Sequence, residues 1–441
     1  MRISIKRNNA SLPLYILLTT ACLKWLFEGV LGQPLIEVFV LFVGLCILTF
    51  SKGIRIKKIS IVWALYAANL LLSVLFHDPS IGRIGRAMVM IEITCFLIFE
   101  KYNQENYPQI YDFMIKLAFF YGFFVLLQLL LKDRFNKVYF PTLITSYQNV
   151  ADHYYRQGYY FGLIFNPHEI AYLLSASFVA LVLWQVIVKK VNIARGASCV
   201  ILFALMLLTQ KKGVIAFSLV SLFLVICVLY ATRKQWIRIV GLVLIVGIGC
   251  GAMALYIKNH SDSVLFYRII QFFERLSNDQ SVDSGRGALQ QYAINEFMDH
   301  KWFGIGWKKF NSLTTSVFGY QSGHEVNFDY LQWLCETGIV GFTLNIIPVL
   351  TMLRRTILVC TKYVRKEQNL RVKWSVLIAI FSQFFTVMYA FIEIPFYDIL
   401  VFTIYIISCI VINAAYQKYC RQSTARRRYS LRGFNNGVKC I

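Results

Sequence analysis

The stretch "GHEVNFDYLQWLCETGIVG" (323–341) places His324, Glu325, Asn327, Asp329, Gln332 and Glu336 at the opening of an apolar run. Histidine exchanges a proton near neutral pH, and the acids and amides can hold hydroxyl groups. Read as one helix, Glu325, Asp329, Gln332 and Glu336 follow i, i+4, i+7 and i+11, a single polar stripe on an apolar rod. In hydrocarbon such a stripe faces the bundle interior or a wet cavity and marks a site. Acids also favour helix N-termini. That plainer role suits Glu325 and Asp329 better than the deeper Glu336.

The elements that must carry these residues are membrane helices. With 58% hydrophobic and 15% charged residues and a mean hydropathy of +0.57, the 441-residue chain is excluded from the water-soluble globular class. About twelve apolar stretches approach the ~20 residues that cross a bilayer: 11–31, 35–50, 59–76, 84–99, 113–131, 168–188, 197–210, 213–231, 236–257, 327–353, 372–392 and 397–416. The expected fold is an all-α integral membrane protein, one polytopic domain over 1–441. Outer loops are expected at about 132–167 and 258–326, with a basic tail at 417–441.

Orientation follows from basic loops, which stay cytoplasmic. "SKGIRIKK", "KKVNIAR", "TRKQWIR" and the tail "ARRRYSLR" fall on one side, so both termini are expected in the cytoplasm. Much of the net charge of +23 is therefore topogenic and attracts anionic lipid, and nucleic acid is not implied. The N-terminal apolar run lacks a small-x-small cleavage site and reads as an uncleaved first helix. The eleven cysteines sit mostly inside apolar spans and indicate neither a disulfide framework nor a zinc site.

The outer loop at 258–326 contains "SGRGALQQYAINEFMDHKWFGIGWKKF". Apolar positions at helical spacing predict an amphipathic helix over about 287–300, with Arg286 just before it and a glycine turn at "FGIGW". Basic residues also occur on the outer side, against the usual bias: Arg83, Arg86, Arg156, Lys211, Lys212, Arg268, Arg275 and Arg286. Some of these suit solvated loops or phospholipid headgroups. Lys24 and Glu28 are spaced for an ion pair within one helix, and His168 and Glu169 suit a helix cap or a ligand contact. Glu393 and Asp398 form an outer-end carboxylate pair that could hold hydroxyl groups.

Four blocks resemble the O-antigen polymerase and O-antigen ligase superfamily of bacterial envelope polysaccharide synthesis: "GLIFNPHEIAYLL", "LLTQKKGVIAFSLV", the Arg286 segment with its "GxG" turn, and "NFDYLQWLCETGIVGF". They extend from about 160 to 342. Two positions depart from the family pattern. Asn327 stands where a histidine is usual, with His324 one turn earlier, and Lys212 stands where arginine is frequent. The resemblance implies a multi-pass protein of the inner membrane whose active site faces the periplasm. It would transfer glycan from undecaprenyl pyrophosphate to a hydroxyl of another lipid-linked unit, or to lipid A-core in the ligase alternative.

The implied partners are the lipid-linked donor and acceptor, membrane lipid and a chain-length regulator protein. No cofactor is implied. Charge gathers on the pyrophosphate as it departs, so preorganised cations would lower the barrier. Arg286, Lys211 and Lys212, with Arg156, Arg268 and Arg83, are the candidates. His324 and then Glu325 are candidates for the base that takes the acceptor proton. Asn327 and Glu336 are expected to bind substrate. With no DxD or HExxH in the outer loops, metal-independent transfer is the expectation. A lipid-linked oligosaccharide transporter is the rival class, although the related halves common in transporters are missing from the sequence.

Overall fold

The structure is a computed structural model, and it describes residues 12–52, 57–77, 79–100, 104–188, 192–230, 286–318 and 324–436. All regular structure among them is helical. The first ten helices are α1 (Leu12–Cys22), α2 (Pro34–Lys52), α3 (Lys58–His77), α4 (Ile81–Phe99), α5 (Tyr107–Leu131), α6 (Asp133–Tyr139), α7 (Thr145–Arg156), α8 (Pro167–Val188), α9 (Ile193–Leu208) and α10 (Lys212–Tyr230). After them come α11 (Arg286–Asp299), α12 (Phe310–Phe318), α13 (Asp329–Leu358), α14 (Leu370–Tyr389) and α15 (Ile399–Asn436).

Seven helical segments among the described residues are long and apolar enough to cross a membrane: α3, α5, α8, α10, Asp329–Tyr363, α14 and Ile399–Gln422. Leu12–Cys22, Leu35–Phe50 and Ile193–Leu208 are shorter apolar helices, and they fall on the expected spans 11–31, 35–50 and 197–210. Helix α4 matches 84–99 but carries Arg83, Arg86 and Glu92. The expected span 236–257 and Arg268 and Arg275 lie outside the described residues.

Helix α15 is the hub. It packs against α14, α4, α1, α8 and α13, and 94% of its apolar window is buried, as expected of a rod that is apolar on every side. The segment between α5 and α8 folds over one end of the bundle. Gln128 of α5 accepts from the backbone N–H groups of Phe161 and Gly162 at 2.8 and 2.9 Å and donates to Asn136 at 3.1 Å. Further hydrogen bonds, from Ile144 N to Gly29 O (2.8 Å) and from Gln210 Nε2 to Gly158 O (2.6 Å), tie this segment to the π-helical turn Trp25–Val30 and to the residues just after α9.

Helix α11, described from Arg286 onward, buries Leu289 and Ala293 and packs against α13. The turn that follows is held by a break in α13. Gly338 sits at φ 63° and ψ −171°, outside helical space, which frees the backbone groups on either side of it from their usual i to i−4 partners. The N–H groups of Ile305 and Gly306 donate to Cys335 O and Glu336 O (3.0 and 2.8 Å). In return, Ile339 N and Val340 N donate to Lys301 O and Trp302 O (2.8 and 3.2 Å). At Gly338 a Cβ would meet the Trp302 carbonyl carbon and oxygen at 2.3 Å, and at Gly304 (φ 71°) one would meet the Glu336 carbonyl carbon at 2.4 Å. The glycines of the two sequence blocks are therefore the two halves of one joint.

Candidate active site

Where the residues after α1, the end of α7, the start of α8, the glycine turn, the residues before α13 and the α14–α15 connection converge, they line a cavity of about 270 Å³. Its ionisable lining is Lys24, His168, Glu169, Lys308, His324, Glu325, Glu393 and Asp398, with Asn166, Asn327, Tyr154, Tyr389 and Tyr397 between them.

One wall is built by the joint. The Glu336 carboxylate is buried and accepts from Lys308 N (2.8 Å), Tyr397 Oη (2.7 Å), Gln332 Nε2 (3.3 Å) and Phe310 N (3.4 Å). Lys308 is thereby held at φ 60°, a conformation non-glycine residues rarely adopt. Its ammonium group lies 5.4 Å from the centre of the Tyr397 ring and 3.3 Å from Glu325 Oε1. Glu325 Oε1 also accepts from Asn311 Nδ2 at 3.2 Å, and Oε2 accepts from Gln332.

Helix α13 starts at Asp329, so Glu325 lies before the helix and the expected four-residue stripe is only three residues long on it. Asp329 turns away to accept from Phe396 N at 2.9 Å and fixes the α14–α15 connection. Asn327 lines the cavity in the left-handed region at φ 55°, which asparagine tolerates better than most residues. His324 sits at the rim, its main chain doubly hydrogen-bonded to Thr314 at 2.9 and 3.1 Å. Partial burial, with His153 nearby, holds its imidazole below the ordinary histidine range, although Glu325 pulls the other way.

The opposite wall carries two cations. Arg286 donates to Glu393 Oε1 at 2.9 Å and to the Ile392 carbonyl at 3.1 Å. Lys211 donates to His168 Nε2 at 2.6 Å and lies over the rings of Tyr159 and Tyr154. Because an ammonium can only donate, Nε2 of His168 accepts, and its Nδ1 carries the hydrogen that reaches Tyr389 Oη at 3.0 Å. Burial, and then the nearby Glu393, push the Tyr154 phenol well above its usual range. It is thus a permanent donor.

The floor joins distant helices. Lys24 pairs with Glu169 at 2.8 Å rather than with Glu28, whose own partners are Tyr147 at 2.7 Å and Arg86 at 3.8 Å. The expected pair within the first helix is thus replaced by a contact across 145 residues of chain. Asn166 Nδ2 bridges Glu169 Oε1 and Asp398 Oδ2, each at 3.4 Å. Asp398 also caps α15, accepting from Val401 N at 3.1 Å.

His324, Glu325 and Asn327 line this cavity, and Arg286 and Lys211 reach it through Glu393 and His168. Glu336 stands behind its wall. Lys212 opens α10 but is not part of the lining. Arg156 pairs with Asp152 at 2.8 Å on an exposed face, and Arg83 donates to Ser312 at 2.9 Å. Sequence reasoning missed Lys308 and Tyr397. The Lys308–Lys309 pair directly after the glycine turn was the available signal for the first, and an aromatic between two outer-end acids the signal for the second.

Fold and cavity together define a multi-helix membrane protein with an ionisable site at one end of its bundle. Residues 197–346 match the family model described as O-Antigen ligase. The match supports the O-antigen polymerase and ligase superfamily for this chain and, with it, a glycosyltransferase-type activity in lipopolysaccharide synthesis. No curated protein matches the chain.

Proposed function

We propose that this protein is an O-antigen polymerase. It would transfer glycan from undecaprenyl pyrophosphate to a hydroxyl of a second lipid-linked repeat unit at the periplasmic face of the inner membrane. One observation carries the reading: a single cavity has a titratable rim of His324, Glu325 and Lys308 on one side and the Arg286 and Lys211 cations behind the other. Group transfer from a pyrophosphate needs both.

In the proposed step the acceptor oxygen bonds to the anomeric carbon as the bond from that carbon to the pyrophosphate oxygen breaks. The hydroxyl proton passes to His324, whose imidazole, held below the ordinary histidine range, is neutral at pH 7, while Glu325 holds Lys308, Asn311 and Gln332. The departing pyrophosphate gains charge, and cations already in place stabilise it more in the transition state than in the ground state. Arginine offers two parallel donors to such an oxyanion, and basic side chains take the part a divalent metal plays elsewhere. The floor of Glu169, Asn166 and Asp398 would hold sugar hydroxyls.

The ligase alternative draws on the description of the matching family model. Deletion in the host separates the two readings. Loss of a polymerase leaves lipopolysaccharide core capped with one repeat unit, whereas loss of a ligase leaves bare core and glycan stranded on the lipid carrier. Purified protein that flips labelled lipid-linked glycan without lengthening it would overturn both and favour a transporter.

A further inference from the structure

We propose that Glu393 occupies the pyrophosphate subsite of the unliganded protein and acts as its selectivity element; this rests on the transferase reading above. Glu393 Oε1 lies 2.9 Å from Arg286 Nη2 and 3.8 Å from His168 Nε2, and Lys211 sits 2.6 Å behind that nitrogen. The Glu393 side chain is only 11% exposed. The Arg286 guanidinium is the donor that a bound oxyanion would take, and a carboxylate of the protein stands in the anion's place.

The arrangement has a physical consequence. At the end of a membrane bundle the commonest anion is the phosphodiester of a lipid headgroup, which carries one negative charge. Glu393 carries the same charge and is tethered, so a headgroup gains little by displacing it. A pyrophosphate carries more charge and more acceptor oxygens, and so it can win Arg286. Specificity is a difference of affinities, and an internal competitor lowers the weaker binder below the threshold for occupancy. Glu393 is a positioning residue in this scheme, because it acts through Arg286. The backbone of its loop is independently held, through Asp329 N to Ala390 O at 3.0 Å and Phe396 N to Asp329 Oδ2 at 2.9 Å. Exchange therefore requires only a side-chain rotation.

The test uses full-length protein in nanodiscs, with inorganic pyrophosphate as the probe. Glu393→Gln is expected to bind pyrophosphate about tenfold more tightly than wild type, the factor that ~1.4 kcal/mol of released competition carries. Glu393→Asp, whose shorter carboxylate reaches Arg286 less well, should gain less. Arg286→Ala should weaken binding, and the gain should vanish in the Arg286→Ala/Glu393→Gln double variant. Transfer by Glu393→Gln should also slow in phosphatidylglycerol nanodiscs relative to phosphatidylcholine, whereas wild type should not discriminate.

Wild-type binding that Arg286→Ala weakens but neither Glu393 variant tightens would overturn the competitor role and leave the transferase reading standing. No pyrophosphate binding by wild type or by any variant would overturn both.

Discussion

Glu336 offers the sharpest separation between a residue that binds substrate and one that builds the wall substrate meets. Its two oxygens receive four donors, the shortest from Lys308 N and Tyr397 Oη at 2.8 and 2.7 Å. Glu336→Gln keeps the shape but turns one oxygen into a donor group, so one pair of donors faces another donor. A buried group left unpaired costs ~1–3 kcal/mol. The joint can place the new amide toward Phe310 N and Gln332, where the contacts are longest at 3.4 and 3.3 Å. The expected loss is therefore about 2 kcal/mol for Glu336→Gln, and about 4 kcal/mol or more for Glu336→Ala, which strands all four donors.

Thermal unfolding of the purified protein in one detergent measures this directly. Glu336→Gln should melt several degrees below wild type, and Glu336→Ala should barely accumulate. Turnover should fall along with stability, because Lys308 loses the backbone contact that sets its φ of 60°, while KM for the donor lipid changes little. Wild-type melting of Glu336→Gln together with a selectively raised KM would refute the reasoning and return Glu336 to the substrate.

Two further outcomes follow from the same geometry. With its imidazole held below the ordinary histidine range, His324 is neutral at pH 7 and able to accept a proton; acidification charges it and removes the base. Wild-type kcat/KM should therefore hold through the ordinary histidine range and fall only at more acidic pH. His324→Gln should lose about 10²- to 10⁴-fold in turnover and with it that acid limb; a retained limb would move the base role to another group. Gly338→Ala places a Cβ 2.3 Å from the Trp302 carbonyl oxygen, so it should abolish stable accumulation, whereas Gly82→Ala, with nothing within 4 Å, should fold normally as judged by size exclusion.

Much of this protein was legible without its tertiary structure, because hydropathy is a sum over neighbours in sequence. The helices at 59–76, 168–188 and 372–392 needed no partner to be recognised, since a run of apolar side chains commits its backbone to internal hydrogen bonding wherever it is buried. Arg286, Lys211 and His324 stood out for a related reason: charge in a hydrophobic chain is conspicuous. What each polar residue does was decided elsewhere.

Helical spacing assigned Lys24 to Glu28, but packing gave it to Glu169 on α8. Periodicity ran the polar stripe back to Glu325, yet the helix begins only at Asp329, and Glu325 reaches Gln332 from outside it. Glu336 read as a ligand because a buried acid in a membrane helix demands partners, and the sequence could not show that those partners include the backbone of a turn some 28 residues earlier and the Tyr397 phenol. Lys308 was invisible for the same reason, since its place in the cavity depends on the break at Gly338. Sequence determines which groups must be satisfied, through local propensity and the cost of burying charge; only the meeting of distant segments decides which group satisfies which, and hence where the site lies.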